Sequence, residues 1–320
     1  MLFSIIIPAP SINPYLLECL KAIRGQSFTD YEIIIILDQK TTQTFFKTKI
    51  LFSSKGPAEK RDLGATLAQG EYLAFLDDDS YPSKNWLKEG EINLESSIIS
   101  AVCGPGITPT NDNLFQKVSG CVNESFLGTT IYNYRFKPKK KRFVDDYPSM
   151  NFIIKKEDFE KIKGFDTSFW PGEDTKLCLD IIQKLQKKIL YDPKIIVYHH
   201  RRPIFKKHLQ QNGRYGLHRG YFARILPATS FRISYFLPSL FTLGLLLGWV
   251  SLYINIILFQ AYLFIVLFYF IFAIIESFRT YNKYQNILLS ILFIPAIIST
   301  HLWYGIQFIR GFIFTKKLIK

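Results

Sequence analysis

The sequence predicts an α/β domain with a mainly parallel sheet, followed by C-terminal transmembrane helices. Runs that are apolar throughout, at residues 4–8, 31–37 and 72–76, alternate with stretches of helical spacing. Such strands are buried on both faces, which a parallel sheet covered by helices provides. The membrane half rests on charge: between Arg232 and Glu276 there is no Asp, Glu, Lys, Arg or His. That interval is too long for one crossing of about 20 residues and suits two.

The first strand, residues 4–8, lies at the start of the chain. That start lacks a basic n-region and is too short for an apolar core plus a cleavage site, so it reads as a strand and not as a secretory signal. Residues 13–24 follow with apolar positions at Leu16, Leu17, Leu20 and Ile23, the spacing of a helix. Residues 31–37 give a second strand, 59–69 a second helix and 72–76 a third strand. No repeat period is visible. Residues 104–150, rich in Gly, Pro, Asn and Lys, read as irregular. They hold the basic run Lys137-Pro-Lys-Lys-Lys-Arg142, read as a solvated loop or, functionally, as a gate or an anionic-lipid contact. From Phe205 to Leu226, Lys206, Lys207, Arg214, His218, Arg219 and Arg224 interleave with Phe, Leu and Tyr. That mixture suits a helix lying along a membrane interface, with an ordinary amphipathic surface helix as the alternative. The expected division is therefore 1–203 for the α/β domain, 204–232 for the interface region and 233–320 for the membrane domain.

Within the membrane domain, residues 236–252 and 256–275 form a hairpin with its tip near Ser251 to Asn255. A third stretch, 284–309, is uncharged apart from His301. A full third crossing would place Lys316, Lys317 and Lys320 outside, against the positive-inside bias. Pro295 and His301 allow a kinked or re-entrant path instead, and the side of the tail stays open.

The formal charge is +14, and residues 236–320 hold only six Lys/Arg and one Glu, which leaves +9 on residues 1–235. A nucleic-acid partner would suit a basic domain. An anionic membrane surface beside membrane spans is the simpler account, with no nucleic acid and with the basic domain on the cytoplasmic face. Cys19, Cys103, Cys121 and Cys178 show no C-x-x-C spacing, which argues against a zinc site or a disulfide framework and fits a reducing cytosol.

Chemistry concentrates at four places. Asp77, Asp78 and Asp79 close the strand 72–76, and three adjacent anions call for a divalent cation such as Mg²⁺ or Mn²⁺. The alternative is a polar turn in which Asp79 or Ser80 caps the next helix before Pro82. Asp38 directly follows the strand 31–37, where its carboxylate could accept N–H bonds from a base or sugar, or merely initiate a turn. Lys60 and Arg61, near a helix start at Gly56-Pro57, offer cations for phosphates or a solvated first turn. Asn151-Phe-Ile-Ile, Gly164-Phe-Asp166 and Trp170-Pro-Gly172-Glu173-Asp174 come later. Paired carboxylates on a Gly-rich bend suit a general base, because one raises the other's proton affinity; a helix cap is the alternative.

Together, the Ile-Ile-Ile-Pro8 strand, Asp38, Lys60-Arg61, the three aspartates and Gly172-Glu173-Asp174 resemble glycosyltransferase family 2. Its membrane-embedded members include cellulose, hyaluronan and exopolysaccharide synthases. Gln211-Asn-Gly-Arg214-Tyr215 is similar to the Gln-x-x-Arg-Trp motif of those members, with Tyr in place of Trp. The resemblance covers about residues 3–225. It implies a GT-A, Rossmann-like fold, a nucleotide-diphosphate sugar donor and inverting transfer. By the same resemblance Pro8, Lys60, Arg61, Gln211 and Arg214 belong to the nucleotide-sugar site, and Asp38 contacts the nucleobase, typically uracil. Asp77 and Asp78 hold nucleotide and metal, Asp79 the metal, and His199 or His200 completes the metal shell. Asp174, next to Glu173, is the catalytic base; Trp170, Gly172 and Tyr215 line the acceptor side; Arg201 and Arg202 add phosphate or headgroup contacts.

The implied acceptor is a lipid-linked saccharide or a surface polysaccharide at the cell membrane. The rival enzyme reading is transfer to a polyprenyl phosphate. A sugar nucleotidyltransferase would need a Gly-rich loop where Ser11-Ile-Asn-Pro14 stands. A membrane scaffold for anionic polymers would leave the carboxylates without purpose.

Overall fold

A computed structural model describes residues 1–165, 169 and 171–318; Asp166 and Trp170 lie outside the described residues. The chain forms two compact units, one of residues 1–107 and 135–200, the other of 108–134 and 201–318.

In the first unit the strands are β1 (Phe3–Pro8), β2 (Tyr31–Leu37), β3 (Thr48–Phe52), β4 (Tyr72–Leu76), β5 (Ser80–Pro82), β6 (Ile99–Cys103), β7 (Gly106–Ile107), β8 (Arg142–Val144), β9 (Asn151–Lys155), β10 (Lys188–Tyr191) and β11 (Val197–His199). Its helices are α1 (Pro14–Arg24), α2 (Pro57–Leu67), α3 (Trp86–Leu94), α6 (Lys156–Lys161) and α7 (Glu173–Gln183). Eight strands form one sheet in the order β3-β2-β1-β4-β9-β6-β10-β8, and β5-β11-β7 form a small second sheet. Pairing is parallel from β3 to β4 and between β6 and β10. It is antiparallel where β9 joins β4 and β6, and at the β8 edge. The expected mainly parallel sheet is therefore the observed one. The Ile-rich β1 and β2 are buried end to end, because helices cover both faces of the sheet.

Helix α1 starts where expected. Asn13 accepts a hydrogen bond from Leu16 N (2.9 Å), and Pro14 occupies the first helical position. It buries Leu16, Cys19, Leu20 and Ile23, whereas Leu17, expected on the apolar face, points outward. The four cysteines are free and buried.

The second unit holds α4 (Leu114–Glu124), α5 (Phe126–Thr129), α8 (Lys206–Ile225), α9 (Pro227–Ser230), α10 (Ile233–Leu247), α11 (Ser251–Ile254), α12 (Ile256–Tyr284) and α13 (Ile287–Ile309). The expectation of irregular chain over 104–150 fails at α4. Asn113 and Gln116 form a reciprocal capping box there, and Val118, Cys121 and Val122 pack on α12 and α13. Three segments, 233–254, 256–284 and 287–314, are long and apolar enough to cross a membrane.

Candidate active site

Strand β1 pairs in parallel with β2 on one side and β4 on the other. The order reverses at β1, so chains leaving β1, β2 and β4 diverge at their carboxyl ends, the place where open α/β sheets hold ligands. Pro8 ends β1, Asp38 follows β2 and Asp77 follows β4.

Two cations of α2 tie these ends together. Lys60 Nζ donates to the Ala9 carbonyl (2.9 Å) and pairs with the Asp38 carboxylate. Arg61 Nη2 meets Asp77 Oδ1 at 2.6 Å, and Nη1 meets Glu173 Oε1 at 3.3 Å. Both side chains are buried, so the alternative of a solvated first turn is overturned. A buried guanidinium next to carboxylates is the residue type for such a junction, since it stays charged and donates in a fixed fork.

Glu173 and Asp174 open α7. Gly172 adopts φ 124° just before them, a conformation that favours glycine, and its N–H donates to Glu173 Oε2 (2.9 Å). The carboxylates thus stand in the first turn of α7, where Gly172 and not their side chains is the cap position, and Glu173 also reaches Arg61. Asp174 accepts a hydrogen bond from Ser149, while its Oδ1 is shut off from solvent with no hydrogen-bond partner among the described residues. Burial, then the Glu173 charge, pushes Asp174 up to about 7, against the pull of Arg61. Glu173 is also raised, first by burial, with Arg61 opposing. Burial works against the Arg61 charge, but Asp77, Asp174 and Glu173 outweigh it and raise its pKa.

The three aspartates do not cap a helix. Ser80 N and Oγ donate to the Asp77 carbonyl (3.1 and 2.9 Å), the chain enters β5, and α3 begins only at Trp86. Strand β11 pairs antiparallel with β5 in a register that sets His199 opposite Ser80. His199 Nε2 consequently lies 3.2 Å from Asp79 Oδ1. Asp77, Asp79 and His199 each offer a ligand atom, all within 4.8 Å of one another. Two carboxylate oxygens and an imidazole nitrogen suit a divalent cation such as Mn²⁺ or Mg²⁺. His200 turns elsewhere: its Nε2 is 2.9 Å from Glu18 and its ring centroid 4.4 Å from that of Tyr15.

Asp78 is held by Asn13 Nδ2 at 2.7 Å, and sequence reasoning missed that partner. Asp62 also escaped notice; its Oδ1 accepts from Phe165 N (3.0 Å), while the Arg61 guanidinium sits 5.6 Å from the Phe165 ring centroid. In the second unit, Gln211, Arg214 and Tyr215 lie on α8. Gln211 Nε2 is 3.4 Å from Tyr215 Oη, and Arg214 and Tyr215 are exposed.

A model of the family described as "Glycosyl transferase family 2" matches residues 4–163, half of the chain. The chain belongs to glycosyltransferase family 2. The matched part contains Pro8, Asp38, Lys60, Arg61 and the three aspartates, and ends before Glu173, Asp174 and His199. Among similar proteins, the pre-mycofactocin glycosyltransferase of Mycobacterium tuberculosis is 25% identical over 168 residues, 51% of this chain and 34% of that protein. Poly(ribitol-phosphate) beta-N-acetylglucosaminyltransferase TarS of Staphylococcus aureus is 30% identical over 103 residues, 28% of this chain and 18% of that one. The chain thus spans about a third or less of these relatives. The crystal structure of S. aureus TarS 1-349 in complex with UDP-GlcNAc resembles 68% of this chain and 66% of that one at 15% identity, with a TM-score of 0.47.

Proposed function

We propose that this chain is an inverting glycosyltransferase that moves a sugar from a nucleotide-diphosphate donor, UDP-linked, to a lipid-linked saccharide or surface polysaccharide at the cytoplasmic face of the cell membrane. One observation carries the reading. Arg61 joins Asp77, a member of the Asp77–Asp79–His199 group, to Glu173 beside Asp174, so a cation-type donor set and a carboxyl of raised proton affinity share one site.

In this reading Asp77, Asp79 and His199 hold Mg²⁺ or Mn²⁺. The bound ion would neutralise charge developing on the leaving diphosphate. Asp38, fixed by Lys60, presents its carboxylate to the base, and Asp78, fixed by Asn13, faces the nucleotide. Asp174 removes the proton from the attacking acceptor hydroxyl, a task suited to a carboxyl whose pKa lies near neutrality. A single displacement inverts the anomeric carbon. Gly172 and Trp170 belong to the acceptor side. The apolar helices of the second unit support an acceptor anchored in lipid.

The test is transfer from a panel of radiolabelled nucleotide sugars into membranes containing lipid-linked glycans, with polyprenyl phosphate as a parallel acceptor. Asp79→Ala and Asp174→Ala should each abolish transfer while the protein stays folded and membrane-bound, and chelation should stop the wild type until Mn²⁺ or Mg²⁺ is restored. Near-normal turnover by either variant would overturn its assigned role; label appearing only in polyprenyl phosphate would replace the saccharide acceptor.

A further inference from the structure

Segments 233–254, 256–284 and 287–314, built on α10, α12 and α13, each have the length and composition of a membrane crossing, yet their pairing is incompatible with three upright crossings. Between α10 and α12, Phe241 stacks on Tyr269 (4.0 Å), and Gly248, just past the end of α10, lies against Tyr262; one number rises as the other falls. Between α12 and α13, Tyr269 Oη meets His301 Nδ1 (2.9 Å) and Ser277 Oγ donates to the Ser290 carbonyl (2.7 Å), again antiparallel. Between α10 and α13, Phe236 packs on Phe308 (4.7 Å), Ser239 Oγ donates to the Gly305 carbonyl (3.4 Å) and Thr242 Oγ1 to the His301 carbonyl (3.3 Å). That pair is antiparallel too. Three rods standing along one membrane normal cannot be antiparallel in every pair. They meet around Phe241, Tyr269 and His301 and leave as three arms.

Two arms are covered by elements too polar for hydrocarbon. Helix α4 packs onto Leu289, Phe293 and Ala296 of the first half of α13, and its Glu124 pairs with Lys283 at the end of α12. Helix α8 runs parallel to the second half of α13: His208 Nε2 lies 2.8 Å from Thr300 Oγ1, Gly213 meets Trp303, Gly216 meets Tyr304 and Gly220 meets Phe308. Helix α8 also exposes Lys206, Lys207 and Arg214, charges that are costly at membrane depth. The remaining arm is the α10–α12 tip. It is free of charge and exposes Leu247, Trp249, Tyr253, Ile257 and Phe264.

We propose that only the α10–α12 hairpin enters the bilayer, and that α13 lies in the membrane surface as an in-plane helix. Its exposed stripe, with Ile287, Ile291 and Ile306, continued by Ile313 just beyond its end, rests on acyl chains, and the exposed Arg310 and Lys316 reach anionic headgroups. Residues 315–318 then stay on the side of α4 and α8, which removes the conflict with the positive-inside bias. This rests on the membrane reading above and adds the path of α13.

The experiment uses full-length single-cysteine additions in sealed vesicles with a membrane-impermeant maleimide; the four native cysteines are buried. Where Asn111→Cys labels, Lys317→Cys should label equally, and Tyr253→Cys only after detergent. Protection of Lys317→Cys until detergent is added overturns the proposal. A fluorophore at Ile291→Cys, Ile298→Cys or Ile306→Cys should be quenched by shallow spin-labelled lipid; deep quenching at Ile298 also overturns it. Failure of the unmodified chain to float with liposomes sinks the membrane reading itself, a separate readout.

Discussion

Asp174 is where catalysis and stability pull in opposite directions. A native carboxyl raised from 3.8 to about 7 contributes stability that is complete below its unfolded pKa and lost as pH rises through about 7. Above that pH the ionised group costs the fold on the order of 1–3 kcal/mol, at about 1.4 kcal/mol per unit with an allowance for partial exposure. Asp174→Asn keeps the shape and the Ser149 contact while removing the charge. The variant should melt higher than wild type at pH 8, gain little at pH 4, and transfer no sugar. Wild-type transfer should rise with pH to a plateau above about 7, a value belonging to the Glu173–Asp174 pair as a unit. Equal melting gains at both pH values would remove this account of the site. The aspartates and Glu173-Asp174 were legible in the sequence because adjacent anions need compensation that a solvated surface does not explain. Their partners were not. Arg61 finds Glu173 across 112 positions and Asn13 finds Asp78 across 65, and no local pattern encodes such pairings.

At the scale of elements, the long apolar strands declared themselves, and the short ones mostly did not. Strand β3 is only half-buried at the sheet edge, and β5 has three residues, so their partners define them; β11 is as short, but the apolar run before His199 marked it. That strand brings His199 to Asp79. Helix α4 had a readable signal in Asn113 and Gln116, outweighed by the surrounding Gly and Pro. The seam between α8 and α13 depends on backbone approach: a Cβ at Gly220 would stand 2.1 Å from the Phe308 carbonyl oxygen, whereas one at Gly244 meets nothing within 4 Å. Backbone cannot yield as a flexible side chain can. Gly220→Ile should therefore destabilise by at least the roughly 1–3 kcal/mol of ordinary overpacking. Gly244→Ala, inside α10, should be neutral or gain up to about 1 kcal/mol from helix propensity. Thermal unfolding in detergent measures both, and an unchanged midpoint for Gly220→Ile would mean the seam is absent.

For the whole molecule, the question is whether charge or apolar surface holds it to a bilayer. The net charge of +14 favours anionic lipid by about 1 kcal/mol for each Lys or Arg that reaches the surface, and salt screens that attraction. The hairpin exposes Leu246, Leu252, Ile257, Phe264, Ile265 and Leu267, and burying six such side chains is worth about 9–18 kcal/mol at about 1.5–3 kcal/mol each. Salt leaves that term intact. Membranes carrying the protein should therefore retain it through 1 M salt and through alkaline carbonate, and release it only to detergent. Anionic lipid should speed its capture by liposomes without being required for retention. Replacing Ile257, Phe264 and Ile265 together with Ser should shift the protein into the salt-extractable fraction. If salt alone strips the unmodified chain, the basic surface is the anchor and the hairpin is packed elsewhere.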